Sequence, residues 1–185
     1  MDTDFFTEYF DEVYATLRAV PRDRIKEIVT ALRQVRTERR RVFIFGNGGS
    51  AATSSHFACD LLKLTRQPDQ PDFRVIALTD NVPVFSAYAN DHGYETVFAE
   101  PLKALAQAGD VAIGISASGR SPNVLRGMDA ARELGLFTVG FAGFEGGLLK
   151  DKVDVCLIAP GRHVSLIEDA HHTLQHAICR ATIET

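Results

Sequence analysis

The chain has no tryptophan, two methionines and only three cysteines in 185 residues. Cys59, Cys156 and Cys179 are odd in number and share no paired spacing. That excludes a disulfide framework and fits a reducing, cytoplasmic setting. No apolar run approaches the roughly 18 residues that would span a bilayer, and the opening Met1-Asp2-Thr3-Asp4 is acidic rather than leader-like. Basic residues are not in excess: the formal net charge is −4, so no general attraction to nucleic acid is expected. The one basic run, Arg33 to Arg41, ends a helical stretch, where cations complement the negative helix terminus. Also missing are a G-x-x-x-x-G-K-[ST] phosphate loop and any linker, repeat or low-complexity segment. What remains is one globular domain, residues 1–185, at 45% hydrophobic and 24% charged, long enough to bury a proper core.

What is present is periodic. Phe5, Phe6, Tyr9, Phe10, Val13, Tyr14 and Leu17 recur at helical spacing, and Pro21 begins a second helix carrying Ile25, Ile28, Val29 and Leu32. Residues 1–40 are therefore expected as two helices. Their aromatic surface exceeds what one small sheet face needs, which points to packing between subunits, as a tetramer. Strands are expected at Val42–Phe45, Arg74–Leu78, Val111–Ile115, Phe137–Phe141 and Val155–Ile158. Helices are expected over about 50–64, 82–90, 95–107, 121–134, 145–150 and 164–183. Apolar, unalternated strands between helices predict an α/β fold, a three-layer αβα sandwich around a five-stranded parallel sheet.

Two loops carry the chemistry. Gly46-Asn47-Gly48-Gly49-Ser50 and Ser116-Ala117-Ser118-Gly119-Arg120-Ser121 each follow an expected strand and open an expected helix. Such junctions present free backbone N–H groups and the positive helix end to an anion, and serines add hydroxyl donors. A phosphorylated small molecule is the expected ligand. The first loop also satisfies a dinucleotide fingerprint, Gly46-x-Gly48-x-x-Ala51. The acid that should follow at about 20 residues is instead Asp80, about 30 residues on, and the second loop would have no role.

His56 and Asp60 lie four apart and share a helix face directly after the first loop; Glu168, His172 and His176 form a second stripe on the last helix. A carboxylate opposite a histidine supplies the base and acid that proton transfer between adjacent carbons requires. Imidazole and carboxylate together also suit zinc. His171 and His172 read as surface or interface residues.

Five segments in order carry a more specific likeness. They are Gly46-Asn-Gly-Gly-Ser-Ala-Ala, His56-Phe57-Ala58-x-Asp60-Leu61, Ala89-Asn90-Asp91-x-Gly93, Gly114-Ile115-Ser116-x-Ser118-Gly119-x-Ser121-x-Asn123-Val124, and Glu168-Asp169-x-His171-x4-His176. Together they resemble the phosphoheptose isomerases, sugar-isomerase (SIS) domain proteins that interconvert sedoheptulose 7-phosphate and a heptose 7-phosphate. The resemblance implies a flavodoxin-like SIS fold in a homotetramer with active sites between subunits. It implies that Ser50, Ser116, Ser118 and Ser121 hold the sugar phosphate, with the backbone of Asn47, Gly48, Gly49 and Ala117 and the side chains of Asn90 and Asp91 nearby. It further implies Asp60, Glu168 and His176 as catalytic residues, Glu168 touching substrate as well, and His56, Asp60, Glu168 and His176 as zinc ligands.

Four departures stand out. Asp60 occupies a position where the family usually has Glu, Glu168 one where it has Gln, Leu64 one where an Arg is expected, and Ser165 one where an Asp is expected. Asp60 is one methylene short, and Glu168 adds a charge that could strengthen a metal site or replace the shortened base. They leave open a different ketose or aldose phosphate as substrate. A non-catalytic SIS protein that only binds a sugar phosphate or a protein partner is the rival reading. Retention of His56 and His176 argues against it.

Overall fold

The structure is a computed structural model and describes residues 3–184. Two helices open the chain, α1 (Thr3–Ala19) and α2 (Arg22–Thr37). Then follow β1 (Arg41–Gly46), α3 (Gly49–Lys63), β2 (Arg74–Ala77), α4 (Val82–His92), α5 (Ala99–Leu105), β3 (Val111–Ser116), α6 (Pro122–Glu133), β4 (Phe137–Gly143), β5 (Val155–Ala159) and α7 (Val164–Ile183). All strands pair in parallel, in the order β2-β1-β3-β4-β5.

Each expected strand is present, and β4 runs on to Gly143. The helix expected over 95–107 is broken into a 3-10 turn at Tyr94–Thr96 and the short α5. Gly93, at φ +92°, takes the chain out of the helical region, and Pro101 sits in the first turn of α5, where its missing N–H leaves no bond unmade. The helix expected near 145–150 is reduced to one 3-10 turn, Leu149–Asp151.

The strands are mostly apolar because both faces are covered. Val42, Ile44, Ile113, Val139 and Leu157 point to one face, where Ile28 and Leu32 of α2, Phe57 and Leu61 of α3, and Ile167, Leu174 and Ile178 of α7 meet them. Phe43, Phe45, Ala112 and Ala142 point to the other, against Val97, Phe98, Leu102, Val124 and Met128. The period-2 alternation of strand side chains thus feeds two separate cores.

Helix α1 lies on α7, where the Tyr9 hydroxyl donates to Asp169 Oδ2 at 2.7 Å and Arg162 pairs with Glu12. The rest of its aromatic face is uncovered: Phe5, Phe6, Phe10 and Tyr14 are 58, 47, 65 and 58% exposed. All three cysteines are free thiols, and no described helix is long and apolar enough to cross a membrane.

Candidate active site

The chain leaves β1 towards β2 on one side and β3 towards β4 on the other. The connections after β1 and β3 therefore diverge and open a crevice at the sheet's C-terminal edge, where ligands bind in folds of this kind. Gly46 and Ile115 pair side by side at that edge, so the two loops start next to each other.

In the first loop Gly48 caps α3 at φ +54°, a left-handed conformation that turns the chain into the helix and leaves its first N–H groups facing the crevice. Ser50 lies buried in the first turn. In the second loop the Ser116 and Ser121 hydroxyls are 3.1 Å apart, and Ser118 Oγ accepts from the Arg120 amide at 3.2 Å. The loop following β4 braces it from below. The amides of Leu148 and Leu149 donate to the Gly119 carbonyl at 2.9 and 3.0 Å, and Gly143 N donates to Ala117 O at 2.9 Å. Gly119 stands at φ +61°, and a Cβ there would lie 2.2 Å from the Gly146 carbonyl oxygen, so no larger residue fits this loop conformation.

The loops are tied together by a contact the sequence reading did not assign. Asn47 and Asn123 exchange side-chain amide hydrogen bonds, each at 2.8 Å, and the Tyr94 hydroxyl donates to Asn47 Oδ1 at 2.9 Å. Asn123 stands inside the serine motif, but only the strand register shows that it faces Asn47. Asn90 and Asp91 sit at the exposed end of α4, their side chains bonded to each other at 2.7 Å.

Helices α3 and α7 form the other wall. The Glu168 carboxylate lies against Gly49, with both oxygens 2.8 Å from where a Gly49 Cβ would stand. Further along the same two helices His56, Asp60 and His176 converge. Asp60 Oδ2 is 3.5 Å from His56 Nε2 and 3.4 Å from His176 Nε2, and those two nitrogens are 3.3 Å apart. Of the four residues expected to share a metal, three meet; the Glu168 carboxylate is directed to the first loop. Gln175 supports the carboxylate, its Nε2 donating to Asp60 Oδ2 at 3.3 Å.

With Asp60 ionised, no arrangement of protons satisfies all three contacts of this triangle. If both Nε2 atoms carry hydrogen to serve Asp60, they oppose each other; if one does not, its lone pair faces an oxygen lone pair. A central cation resolves the conflict, and a tetrahedron with zinc bonds of 2.0–2.1 Å has edges of about 3.3–3.4 Å. The donor set and its spacing thus fit zinc.

Of the two neighbouring histidines, His171 differs from the sequence expectation, and His172 keeps a partly exposed place. His172 is half-buried beside the triangle, its ring centroid 4.7 Å from that of His56 and 4.8 Å from that of His176. Burial, with His56 and His176 alongside, pushes its imidazole below the ordinary 6.5, which favours the neutral, metal-ligating form. His171 is neither surface nor interface: it is 1% exposed under β4, with its Nε2 3.0 Å from the Ala142 carbonyl. Burial pushes its pKa down to about 4, so the ring is a neutral core group.

Three comparisons place the chain among known proteins. The SIS domain model matches residues 8–143. A phosphoheptose isomerase of Roseiflexus sp. is 38% identical over 190 residues, covering 99% of this chain and 96% of the relative. Among solved structures, the phosphoheptose isomerase of Neisseria gonorrhoeae superposes with a TM-score of 0.88 at 28% identity, over 97% of this chain and 95% of that one. A phosphoheptose isomerase from Francisella tularensis superposes with a TM-score of 0.89 at 26% identity, over 98% and 96% of the two chains.

Proposed function

The chain belongs to the SIS domain family, and from that premise we propose that it is a phosphosugar isomerase that interconverts sedoheptulose 7-phosphate and a heptose 7-phosphate through an enediol. The observation that carries the reading is a carboxylate, Glu168, set against Gly49 at the mouth of a serine-lined anion site. Acid–base chemistry and phosphate binding thus share one crevice.

The phosphate is received by the N-termini of α3 and α6 and by the hydroxyls of Ser50, Ser116, Ser118 and Ser121. Asn47, locked to Asn123 and Tyr94, keeps the two loops in register, and the Asn47, Gly48, Gly49 and Ala117 backbone completes the cradle. Asn90 and Asp91 reach the sugar from the α4 side. Glu168 takes the proton from the carbon beside the carbonyl and returns it to the neighbouring carbon. In the ion-free site Asp60 and His176, on the same wall, carry the hydroxyl proton to the carbonyl oxygen, and Asp60 holds the two imidazoles in place. A zinc ion held by His56, Asp60 and His176 would supply positive charge beside the crevice and join α3 to α7.

Turnover of sedoheptulose 7-phosphate by the purified protein tests this reading, with a panel of other ketose and aldose phosphates alongside. Ser118→Ala should weaken phosphosugar binding by roughly 10- to 100-fold, the loss of one charge-assisted hydrogen bond at about 1.5–3 kcal/mol. Unchanged affinity in that variant would remove Ser118 from the phosphate site, and binding without turnover of any sugar would leave a pure binding protein.

We propose also that residues 1–40 build the subunit interface of a homotetramer. Phe5, Phe6, Phe10 and Tyr14 are all exposed on α1, more apolar surface than an isolated chain tolerates well. Light scattering at micromolar concentration should return four times the chain mass, and Phe6→Glu/Phe10→Glu should shift it downward; a monomeric wild-type protein would exclude this assembly. The free thiols fit a cytoplasmic protein.

A further inference from the structure

We propose that His172 is the fourth metal ligand, completing a set of three imidazoles and one carboxylate with His56, Asp60 and His176, and that Glu168 stays outside it. The inference takes only the identity of the ion, zinc, from the reading above.

Geometry separates the two candidates for the fourth corner. The ligand atoms of His56, His172 and His176 all lie within 4.8 Å of one another. The His172 ring stands against both other histidine rings, 4.7 and 4.8 Å between centroids, so side-chain rotation is the movement that would bring it to the fourth corner. His172 and His176 are one helical turn apart on α7 and present their rings to the same side of α3. Glu168 belongs to the same stripe but points elsewhere. Its carboxylate lies at Gly49, seven residues before His56 on α3, roughly 10 Å along the axis by the rise of an α-helix.

Chemistry points the same way. Three nitrogens and one short carboxylate give a closed, four-coordinate site, the arrangement of metals that hold structure together. Gln175 supports Asp60 as an outer partner, the kind of contact that fixes a ligating carboxylate. With His172 supplying the fourth donor from α7, the shorter reach of Asp60 is accommodated. Glu168 then stays beside the first loop at Gly49.

The test is zinc affinity, measured by competition with a chromogenic chelator on the full chain, with the visible spectrum of the cobalt-substituted protein as a second readout. His172→Ala and His172→Gln should each weaken zinc binding tenfold or more and change the cobalt spectrum, with far-UV circular dichroism unchanged. Glu168→Gln should leave both readouts as in the wild type. Loss of affinity in Glu168→Gln with none in the His172 variants would overturn the assignment, as would a wild-type protein that binds no zinc. Neither readout involves a sugar. Zinc bound through His172 in a protein that isomerises nothing would keep this inference and remove the isomerase; an active enzyme indifferent to His172 would do the reverse.

Discussion

Glu168→Gln should lower kcat by two or more orders of magnitude while leaving KM within a few-fold. The substitution keeps size and shape and removes only the charge and the basicity, so a loss confined to kcat reports proton transfer rather than binding. General acid–base groups contribute about 10²–10⁴-fold, and this carboxylate has no other visible duty: it makes no ion pair among the described residues, and it faces the first loop at Gly49. The experiment is pointed because glutamine is the residue the family usually carries here. Without Glu168 the remaining carboxylate on this wall of the crevice is Asp60, four residues after His56 on α3. Asp60 is engaged with two imidazoles and with Gln175 and is one methylene shorter. If Glu168→Gln retains wild-type turnover, Asp60 remains the base despite its length, and Glu168 is an auxiliary of the sugar site.

The layers and the sheet were legible because buried parallel strands read as unbroken apolar runs: β3, Val111–Ser116, is buried at every position. Helix ends were legible where a local signal marks them, as at Pro122 behind Ser121. The break at Gly93–Phe98 was not, because a glycine in an otherwise helical pattern does not reveal its backbone angle. The two glycine/serine loops could be read as strand–loop–helix junctions, yet the Asn47–Asn123 clamp could not, since it joins residues 76 apart through the pairing of β1 with β3. The neighbours of His172 were hidden for a related reason. Its i, i+4 relation to His176 was plain, but the side that stripe faces depends on α7 lying beside α3 and running the same way. Glu168 meeting Gly49 and His176 meeting Asp60 establish that alignment, and no spacing within either helix contains it.

The joint between α3 and the sheet that sets this alignment should be the most costly place to disturb. Phe57 follows His56 on α3, is fully buried, and meets Phe141 of β4 edge-on with centroids 6.1 Å apart. Phe57→Ala should lower the unfolding free energy by about 3–5 kcal/mol, the transfer loss plus the cavity left behind. Phe57→Leu should cost less than half of that, because the larger side chain refills most of the space. Urea titration followed by far-UV circular dichroism is the suitable measurement in a protein without tryptophan, and a chelator keeps metal binding from adding stability of its own. A loss below about 1 kcal/mol for the alanine variant would mean that α3 is held chiefly by Leu61 and Ala58 instead. The same variant links core to site. If α3 settles into the cavity, His56 and Asp60 move relative to His176, and zinc affinity should fall in a protein that remains folded. Phe43→Ala, on the opposite face of the sheet, should destabilise by a similar amount and leave zinc affinity unchanged, since its neighbours belong to the other core.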